Sequence, residues 1–282
     1  MTVIEMSDAT PPEASGGQVA VSLRRAHSRI GLQAESWSGQ LHTGVDLGTA
    51  TCVLTVVDDT GEAVWVDTNA TAALRDGVVV DFTAAVAAVR TLKRDAEAAL
   101  GVELEHAATA YPPCVGEADS RACRFVLESA GFDQIAMLDE VSAANRTLGI
   151  RDGAVVDVGG GSTGVGVFSG GELRALDDRA GGGYHLDLIV AGAMGISVPE
   201  AERLKHESPE TVTTVLRPGI ERVAESIRDL TTGWEALDVH LAGGALMLPG
   251  MDSTLAARLG RSVHAYPHAL LITPLGIARS AP

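Results

Sequence analysis

The sequence predicts an α/β protein made of two copies of one half-domain that close on a shared ligand, and two matching segments carry that prediction. Asp157-Val-Gly-Gly-Gly-Ser-Thr-Gly164 follows the apolar run Gly153-Ala-Val-Val156 and precedes a second one, Val165-Gly-Val-Phe168. Upstream the same arrangement recurs: Gly44-Val45 leads into Asp46-Leu-Gly-Thr-Ala-Thr51, and Cys52-Val-Leu-Thr-Val-Val57 follows. Glycines in a tight turn let backbone N–H groups converge on an anion. An aspartate just before the turn can hold a divalent cation, directly or through water. Either segment alone reads equally well as an ordinary hairpin; together they read as two halves clamping one polyphosphate.

Composition narrows the class. A chain of 282 residues with 46% hydrophobic content is globular and long enough for two domains of ordinary size. The formal charge of −16, with no extended basic cluster, argues against nucleic acid as a partner. Cys52, Cys114 and Cys123 have no metal-like spacing, so reduced thiols in a cytoplasmic protein are expected. No apolar run is long enough to span a bilayer, and no signal peptide is expected, so no membrane partner is read.

The elements follow in order. Residues 1–40 form an arm: the Pro-, Ser- and Gly-rich start predicts disorder to about residue 17. Val19, Leu23, Ala26 and Ile30 then recur at helical spacing. This arm reads either as a frayed tail or as an amphipathic peptide that folds on a partner. The first domain spans 41–149. Strands are expected at 43–48, 51–57 and 63–67, with Asp59-Thr-Gly61 turning the chain between the last two. The apolar face of Val86, Val89, Leu92 and Leu100 predicts a helix over 82–100, ended by Gly101. A strand at 106–110, a helix at 117–130 ended by Gly131, a short strand at 135–138 and a helix at 141–148 complete it. The second domain, 150–282, repeats the opening and adds a strand at 172–175. Helices are expected at 184–193, 198–207 and 218–232, and a strand at 239–242 feeds Gly243-Gly244. A duplicated fold of this kind places its ligand between the halves.

Taken together these motifs resemble the actin, seventy-kilodalton heat-shock chaperone and sugar-kinase superfamily. Residues 46–51 look like its first phosphate loop, 157–164 its second, and Leu241-Ala-Gly-Gly-Ala-Leu-Met-Leu-Pro-Gly250 its adenosine motif. Leu138-Asp-Glu-Val-Ser-Ala-Ala-Asn145 and Thr273-Pro-Leu-Gly-Ile-Ala278 look like the two connecting helices. Ala201-Glu-Arg-Leu-Lys205 is similar to the adenosine-side helix of MreB and the chaperones. Within the superfamily, Arg75-Asp-Gly-Val-Val-Val-Asp81, His106-Ala-Ala-Thr109, Gly182-Gly-Tyr-His185 and Ile272-Thr-Pro-Leu-Gly-Ile277 look like the ethanolamine-utilisation EutJ family. The chain departs from relatives at Val141-Ser142, where Pro-Thr is usual, and at Ala50-Thr51, where MreB has Ala-Asn.

The resemblance implies a duplicated actin-like ATPase fold, ribonuclease H-like in each half, binding ATP or ADP with Mg²⁺. It implies that Gly48, Thr49 and Ala50, and Gly159, Gly160, Gly161, Ser162 and Thr163, meet the phosphates. Asp46 and Asp157 would hold the hydrated Mg²⁺. Glu140 would orient the attacking water, although a carboxylate beginning a helix is also stabilised there by the macrodipole. Gly182 and Gly183 would offer free helix N–H groups to ribose or phosphate. Glu202 and Lys205 would flank the adenosine, with an ordinary surface pair as the alternative, and Gly243 and Gly244 would let the adenine ring approach the backbone. The implied function is a chaperone-like ATPase whose partners are client or shell proteins of a bacterial microcompartment, with a cytoplasmic or microcompartment-associated location. A nucleotide-responsive scaffold with little turnover and a small-molecule kinase remain as alternatives. Only 58 positions separate Gly183 from Leu241, and the stretch between Val57 and Arg75 is similarly short; actin-like relatives insert outer lobes there. Both outer lobes are therefore expected to be pared down, leaving an open cleft, no chaperone peptide-binding domain and no actin-like double filaments.

Overall fold

The computed structural model describes residues 15–75 and 77–282. In chain order the first half comprises α1 (Ser15–Ser28), β1 (His42–Leu47), β2 (Thr51–Val57), β3 (Ala63–Ala70) and a small hairpin of β4 (Leu74–Arg75) and β5 (Val78–Val79). It continues through α2 (Phe82–Leu100), β6 (His106–Tyr111), α3 (Glu117–Ala130), β7 (Gln134–Asp139) and α4 (Glu140–Leu148). The second half comprises β8 (Gly153–Val158), β9 (Ser162–Ser169), β10 (Glu172–Ala180), α5 (Gly183–Met194), α6 (Val198–Glu207) and α7 (Pro209–Leu230). It ends with β11 (Val239–Ala242), α8 (Met251–Leu259), β12 (Val263–His264), a 3₁₀ turn at Ala269–Leu271 and α9 (Ile272–Ala278).

Each half builds the same five-stranded sheet. The orders are β3-β2-β1-β6-β7 and β10-β9-β8-β11-β12. In each, three antiparallel meander strands are extended by two parallel ones, with β1 against β6 and β8 against β11 at the change of direction. Crossover helices cover one face of each sheet. Val86, Val89 and Leu92 of α2 with Val126 and Leu127 of α3 close the first core. Val190, Leu216, Ile220, Ile227 and Leu255 close the second.

Local signals explain most helix ends. The Asp81 carboxylate accepts the Ala84 N–H at the start of α2, and Gly101 ends it at a φ of 73°. Asp139 caps α4 by accepting the Ser142 N–H, and a Ser197–Glu200 capping box opens α6. Helix α7 departs from the sequence reading: it begins at Pro209, not Pro218, and runs through Pro218. Proline removes one helical donor and crowds the preceding turn. Burial of Val212, Leu216, Ile220, Val223 and Ile227 along one face outweighs that local cost.

Between the halves, α4 and α9 share one buried cluster with Val53 and Val57 of the first sheet and Val155 and Phe168 of the second. A Cβ on Gly276 would run into the Ala143 carbonyl, and one on Gly44 into the Ala278 backbone. The two helices therefore cross with almost no side chain between them.

The arm requires a correction. Its described part is not frayed, and the surface it docks on belongs to its own chain. Val19, Leu23 and Ala26 of α1 enter the same cluster as α4 and α9. Ser22 Oγ donates to Glu62 at 2.6 Å, Ile30 bridges Val66, and the Glu35 N–H donates to the Val64 carbonyl, so the arm continues along the β3 edge. His27 stacks on His268 of the second half at 3.8 Å between ring centroids. The disorder expected before residue 15 lies outside the described residues.

Leu23 is 0% exposed and Val21, on the opposite face, 55%. In urea denaturation Leu23→Ala is expected to lower stability by about 2–5 kcal/mol, and Val21→Ala by less than about 0.5 kcal/mol. Equal small effects would mean that the arm does not dock.

Candidate nucleotide site

The two loops that the sequence pairs are built alike atom for atom at their first hydrogen bond. The Gly48 N–H donates to the Thr51 carbonyl at 3.2 Å, and the Gly159 N–H to the Ser162 carbonyl at 3.1 Å. Asp46 is the penultimate residue of β1 and pairs with Val53, and Asp157 is the penultimate residue of β8 and pairs with Gly164. The loops also meet: a Cβ on Gly160 would stand 2.9 Å from Thr49 Cβ. A second bridge lies beside them. The Cys114 N–H donates to Asp178 at 3.0 Å, and its thiol to Asp177 at 3.0 Å, joining the loop after β6 to β10. The two halves thus touch at the glycine loops and at Cys114. Cys114 is exposed, and its carboxylate partners push the thiol up to about 12, so it is no reactive thiolate.

Three carboxyl groups converge behind the loops. Burial, and then the Asp157 charge, raise Asp46 to about 7. Burial raises Asp157 to about 6, against the lowering effect of a hydrogen bond from Thr273. Glu140, the first residue of α4, is held well above its ordinary range by burial and then by Asp157, Asp46, Asp178 and Asp139. No basic side chain is among the groups shifting any of the three. Among the described residues, the three acidic or thiol groups whose ligand atoms lie within 4.8 Å of one another are Cys114, Asp177 and Asp178. Asp46, Asp157 and Glu140 are not such a cluster; a cation that keeps most of its water needs only one or two carboxylates.

Several predicted residues are engaged otherwise than the sequence reading expected. The N–H groups of Gly183 and Tyr184 are not free: they donate to the carbonyls of Gly159 at 2.9 Å and Gly160 at 2.8 Å. The start of α5 therefore braces the second loop, and a Cβ on Gly182 would overlap the Gly159 carbonyl. Thr163 Oγ1, at the start of β9, donates to the Gly181 carbonyl at 2.6 Å, so its hydroxyl is engaged within the second half. Gly243, at a φ of 83°, packs where a Cβ would strike the Val158 carbonyl and Asp157 Oδ1. Its missing side chain makes room for the aspartate. Gly244 lies against Leu270. Glu202 and Lys205 part company: Glu202 is exposed, whereas Lys205, 4% exposed, pairs with buried Asp187 at 2.8 Å and lies 3.4 Å from the Gly183 carbonyl. Asp187 carried no sequence signal, because its partner is eighteen positions away and only helix packing brings them together. Thr273 stood within a quoted motif, but its contact with Asp157 could not be read there.

The profile of the MreB/Mbl protein family matches residues 63–194. The chain is 38% identical over 241 residues to the ethanolamine utilization protein EutJ of Salmonella typhimurium, covering 85% of each chain. The chain belongs to the EutJ family. The crystal structure of EutJ from Carboxydothermus hydrogenoformans superposes with a TM-score of 0.89 at 37% identity, covering 94% of this chain and 99% of that one. MreB5 of Spiroplasma citri, solved bound to ADP, superposes at 0.69 with 16% identity over 84% of this chain and 94% of its own. This last likeness is one of fold, and the EutJ chain shares the actin-like architecture.

A pH prediction follows from the acid cluster. Asp46 and Asp157 have native values above their unfolded ones, so between about pH 4 and 7 the folded state keeps protons that the unfolded state has lost. In urea titrations without divalent metal, stability should fall as pH rises across that window and level off above it. Asp46→Asn should flatten the fall, and Mg²⁺ should reduce it. A profile that rises with pH and ignores Mg²⁺ would exclude a cation site here.

Proposed function

We propose that this EutJ-family chain binds ATP and ADP with Mg²⁺ between its halves and hydrolyses ATP slowly. We propose further that it serves, as a chaperone-like ATPase of ethanolamine utilisation, in the assembly or maintenance of microcompartment enzymes or shell proteins. The observation that carries the nucleotide reading is the contact between two matched glycine loops, each preceded by an aspartate with no basic partner. The backbone N–H groups of Thr49, Ala50, Gly160 and Gly161 are the candidate donors to phosphate oxygens. Asp46 and Asp157 would hold Mg²⁺, whose charge would offset both the carboxylates and the phosphates. The relatives' name supports the pathway, and the ADP and AMPPNP seen in MreB5 support the ligand class.

In this reading Glu140 accepts a hydrogen bond from the attacking water and aligns it with the terminal phosphate. Phosphoryl transfer depends mainly on such positioning and on charge stabilisation. Lys205, held by Asp187, steadies the first turn of α5, which in turn supports the second loop.

One observation favours the scaffold reading. Burial and the charges of Asp157 and Asp46 raise the Glu140 carboxyl, which works against the ionised form that best accepts a hydrogen bond from water. A cation between the aspartates would oppose that shift. Phosphate release by the wild type, with and without Mg²⁺, should exceed that of Glu140→Ala by at least about tenfold when Mg²⁺ is present. Tight Mg²⁺-dependent nucleotide binding with equal release by both proteins would establish the scaffold instead. Release that depends on added acetate or sugar would establish a kinase.

A further inference from the structure

Thr273 is the second residue of α9, and its hydroxyl reaches out of that helix to the acid cluster. Oγ1 donates to Asp157 Oδ2 at 2.5 Å, across 116 positions of sequence. Both residues are buried, at 4% and 6% exposure. Among the described residues this is the one hydrogen bond that the Asp157 carboxylate receives, and Asp46, its counterpart in the first half, receives none. The other carboxylate oxygen of Asp157 lies where a side chain on Gly243 would be, so the group is held from two sides.

The donor is itself anchored. Thr147 Oγ1, in the last turn of α4, donates to the Ile272 carbonyl at 2.8 Å, one residue before Thr273. Pro274 follows, and Gly276 presses on the Ala143 carbonyl. The position of the Thr273 hydroxyl is therefore set by the crossing of the two helices that join the halves.

We propose that Thr273 is a positioning residue for the candidate cation site, fixing the Asp157 carboxylate so that its charge and orientation follow the packing of α9 on α4. This rests on the Mg²⁺–nucleotide reading above. A buried carboxylate with one strong donor keeps a single rotamer, and a hydrogen bond to a charged group is stronger than a neutral one. Removing the hydroxyl frees Asp157 to turn and removes a donor from the ionised form. The hydrated cation would then lose one of its two candidate carboxylates. Nucleotide contacts made by the loop N–H groups alone would be unaffected.

The test uses the full chain as wild type, Thr273→Val and Thr273→Ser, with a fluorescent ADP analogue titrated in excess Mg²⁺ and again in EDTA. Thr273→Val is expected to weaken binding about tenfold in Mg²⁺ and by less than about twofold in EDTA. Thr273→Ser, which keeps the hydroxyl, should restore the Mg²⁺ value. Equal losses in both conditions, no loss in either, or a serine variant as weak as valine would overturn the inference. Wild-type binding indifferent to Mg²⁺ would overturn it while leaving nucleotide binding intact. A wild type that binds no nucleotide in either condition would overturn the nucleotide reading itself. Should Thr273→Val not fold, Thr273→Ala, which cannot crowd Asp157, takes its place.

Discussion

The close crossing of α4 and α9 is the constraint on which the rest of this molecule depends. Gly276 against the Ala143 carbonyl leaves no room for a side chain, and the Thr147 hydroxyl ties the end of one helix to the start of the other. Both helices are buried in the cluster that also takes in residues of both sheets, so their spacing sets how the halves face one another. Interiors packed at crystal density do not absorb such shifts gradually. Glu140 begins one of these helices and Thr273 lies near the start of the other. The acids of the site therefore inherit their relative positions from a contact that is itself apolar and backbone-mediated. Helix α1 adds to this junction by packing Leu23 into the same cluster while His27 stacks on His268.

Against that rigid frame the site is electrostatically unbalanced. The Asp157 charge raises Asp46, both aspartates raise Glu140, and no basic side chain is among their shifting neighbours. Burying carboxyl groups without a counter-charge costs stability unless they take up protons or a cation. A contrast lies between α5 and α6, where buried Asp187 has a basic partner, Lys205, at 2.8 Å. A buried pair of opposite charges suits support of a loop. An uncompensated cluster beside two glycine loops suits a cation accompanied by polyphosphate. The same logic explains why Gly243 must lack a side chain: the space it leaves is occupied by the Asp157 carboxylate.

Much of the fold was legible because its signals are local. The apolar periodicity of 82–100 with Gly101 after it and the glycine turns after Asp46 and Asp157 act within a few residues, and the elements stand where these place them. Pro218 misled because a local breaking tendency was outweighed by burial along the whole of α7. The arm was ambiguous because Val19, Leu23 and Ala26 define an apolar face without naming the surface that covers it. In the site, the sequence marked which residues bear phosphate and cation chemistry but not how their hydrogen bonds are spent. Gly183 was read as a free donor, and its N–H is committed to the Gly159 carbonyl.

What the sequence by itself determined is the duplication: two aspartates, each before a glycine turn, each between apolar strands, because strand periodicity and turn chemistry are encoded in neighbouring residues. What only the tertiary structure decided is the relation between the copies. The contact of Gly160 with Thr49, the bridge from Cys114 to Asp177 and Asp178, the pairing of Lys205 with Asp187 and the hold of Thr273 on Asp157 all join residues far apart in the chain. Such contacts depend on helix crossing and sheet packing, which sum many small burial terms over the whole molecule and leave no mark at any one position.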